Sequence, residues 1–164
     1  MSTPFTTLTV DGHPLQGDAI LRWADDLVKL HNIASWTVEV QTTLRELCAN
    51  DGSISAHTSG TTGPPKAMTL SAMDLRSSAR LTGHTFHLRH GDRALVCLPC
   101  NFIAGQLMLV RGFVIGLALH LIDPAGGVLN NLAVNDRFRF AAMVPNQLHR
   151  ALQDDRARVE RQFE

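Results

Sequence analysis

RALVCLPCNFIAGQLMLVRGFVIGLALHLI, residues 93–122, decides the fold. Arg93–Leu98 is a short apolar run, of the length of a buried strand and too short for a helix. Gly105–Leu117 is apolar and long enough for a buried helix, and Ala118–Ile122 is again a short apolar run. Strand, helix and strand in that order form a crossover unit, which sets its two strands parallel in one sheet. The same alternation continues downstream. Phe138–Val144 reads as another strand, and Pro145 opens a helix that runs into a charged tail.

Upstream, Ser71 predicts an N-cap for a helix to about Leu88, with Asp74 as the acidic partner in its first turn. Ser53–Thr58 and Lys66–Leu70 read as short extended runs on either side of a small-residue loop. Leu21, Ala24, Leu27, Val28 and His31 follow helical spacing, as do Trp36, Val40, Leu44 and Leu47. They predict helices near 17–31 and 35–49, the second stopped by Asn50-Asp51-Gly52. At the start, FTTLTVDGHPL (residues 5–15) places Asp11-Gly12 between two extended runs, a β-hairpin signal. The expected fold is therefore α/β: a mostly parallel sheet flanked by helices, with a small N-terminal β-hairpin. Its expected organisation is a hairpin-and-helix segment at 1–50, an α/β subdomain with the small-residue loop at 51–150, and a charged helical tail at 151–164.

The chain has 164 residues, 45% of them hydrophobic and 18% charged, which excludes a disordered class and suffices for one core. Fifteen basic side chains balance 15 acidic ones, so no Lys/Arg excess is available for general nucleic-acid binding. Three cysteines make no disulfide framework and point to a reducing compartment. The N-terminus lacks the pattern of a secretory signal, and the longest apolar stretch, Leu107–Ile122, is broken by Arg111, glycines and His120. A cytoplasmic protein with no membrane span is expected.

The loop that carries chemistry is His57-Thr58-Ser59-Gly60-Thr61-Thr62-Gly63-Pro64-Pro65-Lys66. Glycines let the backbone turn N–H groups toward a ligand, the hydroxyls add donors, and Lys66 adds a point positive charge. Together they suit a polyphosphate. The loop is not a Walker A motif, because two prolines separate Gly63 from Lys66 and Ala67 follows. The plain alternative is a Ser/Thr/Gly-rich surface turn. His57 either ends the strand or approaches a phosphate.

Thr58–Lys66 resembles the phosphate-binding signature of the acyl-adenylate-forming enzymes, the family of acyl-CoA ligases, luciferases and peptide-synthetase adenylation domains. Leu98-Pro99-Cys100-Asn101-Phe102-Ile103-Ala104-Gly105-Gln106, with Arg111 beyond it, is similar to the family's next block. Phe140–Leu148 looks like the strand-to-helix step that follows. Within the family the pattern most resembles the compact bacterial o-succinylbenzoate–CoA ligases of menaquinone synthesis.

The resemblance implies a fold and an activity. The fold would be part of the family's N-terminal domain. Thr58, Ser59, Gly60, Thr61, Thr62, Gly63 and Lys66 would hold the β- and γ-phosphates of ATP, with Lys66 in the catalytic role. Asn101, Phe102, Gln106 and Arg111 would line the acid pocket. Arg111 has a second reading, an arginine snorkelling from an apolar helix. Magnesium would be bound by residues outside this chain, and CoA would accept the acyl group. Many members have His where this chain has Phe102. The family's later motifs for adenine, ribose and magnesium are not present, nor is its late Lys, and the sequence contains no Tyr. The expectation is thus the N-terminal portion of an acid–CoA ligase acting on a carboxylic acid such as o-succinylbenzoate, inactive by itself and prone to self-association through an open sheet edge. The alternative is a non-catalytic relic domain that binds nucleotide or phosphate.

Two other groupings have plainer readings. Cys97-Leu98-Pro99-Cys100 is a CxxC, but its first cysteine falls in a predicted strand and not at a helix N-terminus, so a buried core pair is expected. His84, His87 and His90 lie near a helix end; two of them could share a face and bind a metal, but cations that complement the helix dipole are the expected reading, since apart from Asp92 no nearby Cys or carboxylate cluster completes a site.

Overall fold

The computed structural model describes residues 3–49, 51–57 and 67–163. Seven strands and five α-helices alternate over most of this length: β1 (Thr7–Val10), β2 (His13–Gln16), α1 (Asp18–Leu30), α2 (Ser35–Leu47), β3 (Ile54–His57), β4 (Ala67–Leu70), α3 (Ala72–Thr85), β5 (Arg93–Val96), α4 (Ile103–Ile115), β6 (Ala118–Leu121), β7 (Phe140–Ala141) and α5 (Pro145–Gln162). A 3₁₀ turn at Val128–Asn131 precedes β7.

Five strands form the main sheet in the order β2-β1-β6-β5-β7, antiparallel only between β1 and β2. The N-terminal hairpin turns at Asp11 and Gly12, both at positive φ, as a type I′ turn requires. It does not stand apart: β1 pairs with β6, so segments 1–50 and 51–150 share one sheet. Asp11 also seals this junction, since its Oδ1 accepts from Leu121 N at 3.0 Å and meets His120 Nδ1 at 3.2 Å.

Successive residues of β5 face opposite ways. Ala94 and Val96 join the larger core with α1–α4, whereas Leu95 and Cys97 face Ile122, Val128, Leu132 and Phe138 on the other side. Helix α4 lies close on the sheet because Gly112 has no side chain; a Cβ there would come within 2.6 Å of Leu119 and 2.9 Å of Leu8.

Four of the five helices begin within a residue of the expected start, whereas α4 runs from Ile103 to Ile115, two residues ahead of the expected Gly105–Leu117, and closes at the left-handed Gly116. Ser71 caps α3: its Oγ accepts from Asp74 N and donates to Asp74 Oδ2 at 2.7 Å. The expected end near Leu88 moves back to Thr85, because His87 turns into the left-handed region. Leu88 N then donates to Gly83 O and His87 N to His84 O, a Schellman closure that buries Leu88. The tail helix is likewise not continuous. Asp155 leaves helical geometry, and its Oδ1 accepts from Arg158 N at 2.9 Å, recapping the second half. The strands expected at 93–98 and 138–144 shorten to Arg93–Val96 and Phe140–Ala141. Beyond Val96 a side chain replaces the ladder: the Cys97 carbonyl accepts from Gln147 Nε2 at 2.8 Å.

β3 and β4 form a separate antiparallel pair, with Ser55 opposite Thr69 and His57 opposite Ala67. Residues 58–66 connect the two strands. Among the described residues no helix is long and apolar enough to cross a membrane.

Candidate functional site

In open α/β sheets, ligands bind in the crevice beyond the carboxyl ends of the strands. A cavity of about 870 Å³ occupies that place here. Leu98 and Pro99 reach it from the end of β5, Pro124–Val128 from the end of β6, and Val144 from the end of β7. Phe102, Ile103 and Ala104 contribute from the start of α4, and Ala56 and Met68 from β3 and β4.

Glycine makes this convergence possible. A Cβ at Gly105 would be driven into the Pro99 carbonyl and would sit 2.8 Å from the Leu98 carbonyl, so only glycine lets α4 start against the end of β5. That approach sets Phe102 at the cavity wall, 49% exposed despite its aromatic ring. The first three turns of α5 bring polar groups to the same cavity: Asn146, Gln147, Arg150 and Asp154. Gln147 is fixed from two sides, accepting from Val144 N at 3.1 Å and donating to Cys97 O. Its ties lock the N-terminus of α5 to the end of β5.

The expected pocket residues separate. Phe102 lines the cavity, whereas Asn101, Gln106 and Arg111 are not among the described residues around it. Asn101 N donates to Glu39 Oε2 at 3.4 Å, toward α2. Gln106 is buried and donates from Nε2 to Ser55 O at 3.1 Å; its Oε1 has no partner among the described residues. Arg111 points to α3 and β7. Its Nε donates to Thr82 Oγ1 at 3.4 Å, its guanidinium lies 5.7 Å from the centre of the Phe140 ring, and burial lowers its pKa. The expected phosphate ligands Thr58, Ser59, Gly60, Thr61, Thr62, Gly63 and Lys66 lie outside the described residues. Their flanks are placed, however: Ala56 and Met68, opposite each other in the β3–β4 pair, both line the cavity.

Residue-by-residue reading missed Arg150 and Asp154. Their signal was positional, since a helix opened by Pro145 directly after a parallel strand brings its first three turns to the carboxyl edge, and i, i+4 spacing puts both on one face.

The CxxC is a buried pair of free thiols. Burial pushes Cys97 up to about 12; burial and then Glu39 do the same for Cys100. Such thiols are poor nucleophiles at neutral pH. His84, His87 and His90 are exposed. No group of three or more His, Cys, Asp or Glu among the described residues is arranged to hold a metal ion.

Known proteins place this architecture. The AMP-binding enzyme family matches residues 6–163. An acyl-CoA synthetase (AMP-forming)/AMP-acid ligase II-like protein from Dyadobacter fermentans is 33% identical, with a TM-score of 0.68 over 77% of this chain and 37% of its own. The o-succinylbenzoate CoA synthetase of Bacillus subtilis, in complex with the acyl-adenylate intermediate OSB-AMP, is 23% identical with a TM-score of 0.50 over 61% of this chain and 27% of its own. MenE of E. coli, with a bound phenylether-linked analogue of OSB-AMS, is 16% identical with a TM-score of 0.57 over 93% of this chain and 49% of its own. These last two share the fold. No curated protein matches the chain. The chain thus spans between about a quarter and half of each of these solved structures. With a family match over nearly its whole length and a relative one-third identical, this chain belongs to the AMP-binding enzymes, the family of the acyl-CoA synthetases.

Proposed function

We propose that this chain supplies the phosphate segment and one wall of the acyl pocket of an AMP-forming acid–CoA ligase. The carrying observation is the cavity at the strand ends, apolar at Phe102, Ile103 and Leu98 and bordered by the two strands that residues 58–66 join. In this reading a carboxylate oxygen of the acid attacks the α-phosphorus of ATP. The bond to the β-phosphate bridging oxygen breaks, and pyrophosphate leaves with the electron pair. The segment's N–H groups, hydroxyls and Lys66 meet the charge that builds on the leaving group. CoA thiolate then attacks the acyl carbon and AMP departs. Phe102 packs against the acid. An aromatic acid of the o-succinylbenzoate type is the substrate class the sequence resemblance suggests.

Among the described residues no three or more metal-ligating side chains come together, and Asp154 is a single carboxylate at the cavity. Magnesium enters with ATP in this reading, and no residue here is assigned to hold it.

Titration of the full chain with inorganic pyrophosphate, followed through backbone amides, tests the reading. The amides of residues 59–63 and Lys66 are expected to shift, and Gly63→Val to abolish the shifts by obstructing backbone approach. Identical shifts and affinity in the variant would overturn the phosphate role.

A further inference from the structure

Ser55 is the residue from which the phosphate segment hangs, three positions before Thr58. It faces Thr69 of β4, yet both of its own backbone groups are held by side chains. Its N–H donates to Glu46 Oε2 of α2 at 3.1 Å, and its carbonyl accepts from Gln106 Nε2 of α4 at 3.1 Å. This is the pattern of a non-hydrogen-bonded pair in an antiparallel ladder, whose groups point away from the partner strand. On the outer edge of β3 two helices therefore stand in for a neighbouring strand. Ile54 and Ala56, on either side, are each 1% exposed, so the strand cannot slide without unburying them.

The identity of residue 106 is informative. Gln106 is 5% exposed, and among the described residues its Oε1 has no partner. Leucine or methionine would fill similar volume with no orphaned acceptor, so packing alone does not account for an amide. What the amide adds is a donor aimed at the Ser55 carbonyl, and that partner fixes which end of the amide faces β3. Gln106 lies on the first two turns of α4, one turn from Phe102 and Ile103, which line the cavity.

We infer that Gln106 is a positioning residue: with Glu46 it clamps Ser55 and so sets where the phosphate segment stands relative to the acid cavity. The inference rests on the proposed phosphate role of residues 58–66. Gln106 touches no phosphate itself. It transmits the position of the α4 start, fixed by Gly105 against Pro99, to the strand that carries the segment.

The test is pyrophosphate titration of the full chain, together with hydrogen exchange at the Ser55 amide, for wild type, Gln106→Met and Glu46→Ala. Glu46 is only partly buried, so its variant keeps the test open if Gln106→Met does not fold. Expected are faster exchange at Ser55 and pyrophosphate affinity about three- to tenfold weaker in each variant, the worth of one hydrogen bond. Amides of β6 should keep wild-type protection, which a general loss of stability would not allow. Wild-type binding with unchanged affinity in both variants would overturn the clamp alone. Wild type showing no pyrophosphate-dependent shift at 58–66 would overturn the clamp together with the phosphate reading.

Discussion

β5 runs between β6 and β7 with backbone ladders on both edges, whereas β3 has a backbone partner on one edge and side chains on the other. The difference divides the labour of the fold. The parallel strands are registered by repeated main-chain bonds and by two apolar faces, so a single side chain shifts them little. The β3–β4 pair is placed by Glu46, Gln106 and the burial of Ile54 and Ala56. The parallel part carries most of the cavity wall, and the part placed by side chains carries Ala56, Met68 and the segment that meets the phosphates in the proposed reaction. A few substitutions can therefore retune the second without unfolding the first.

The sharpest way to break this contrast is in the core under the sheet. Leu109 on α4 is fully buried within the larger cluster. Leu109→Ala should cost about 2–5 kcal/mol, through lost transfer energy and the cavity left behind. The measurement is a denaturant midpoint with unchanged slope, with β3–β4 and the main sheet unfolding together. A loss below about 1 kcal/mol would mean that α4 is not the shared support of both regions.

A smaller effect belongs to the exit of β4. Ser71→Ala removes the oxygen that receives Asp74 N and frees the Asp74 carboxylate. The expected cost is about 1 kcal/mol, typical of an N-cap, read from the same unfolding curves. Ser71→Thr should recover most of it, because its hydroxyl both accepts from Asp74 N and donates to the Asp74 carboxylate. No recovery would place the loss elsewhere than in the cap.

Legibility follows the same division. The alternation in residues 93–122 exposed the crossover, and Asp11-Gly12 the hairpin, because both are written in local periodicity and turn chemistry. Ser71 with Asp74 was equally local. The end of α3 was hidden because His87, not glycine, adopts the left-handed closure, and burial of Leu88 is what drives it. The break at Asp155 was hidden because a mid-helix aspartate looks like one more surface charge until it recaps. At the site, Phe102 was legible from its block, while Asn101, Gln106 and Arg111 were not placed at the cavity wall. The backbone N–H of Asn101 turns to α2, the side chains of Gln106 and Arg111 leave α4 toward β3 and α3, and helix phase against three neighbours cannot be read from one sequence. Arg150 and Asp154 reach the cavity only because α5 docks there.

The smallest expected effect concerns the thiols, which belong to the parallel region and have no counterpart in β3–β4. Burial raises Cys97 and Cys100 from an ordinary 9.0 to about 12, with Glu39 adding to the rise at Cys100. Both stay neutral in the folded chain while the unfolded chain begins to ionise near pH 9. A folded pKa above the unfolded one means that the unfolded state loses protons first, so the thiols' contribution is complete well below pH 9. It then declines as pH rises from about 9 toward 12. At pH 9.0 half of each unfolded thiol is ionised, worth about 0.4 kcal/mol per cysteine. Other groups titrate over the same range, so the informative quantity is the stability difference between wild type and the Cys97→Ala/Cys100→Ala double variant. That difference should move against wild type by about 0.8 kcal/mol between pH 7 and pH 9. A difference independent of pH would mean that water reaches these sulfurs, and that the end of β5 is looser than its Gln147 and Gly105 contacts imply.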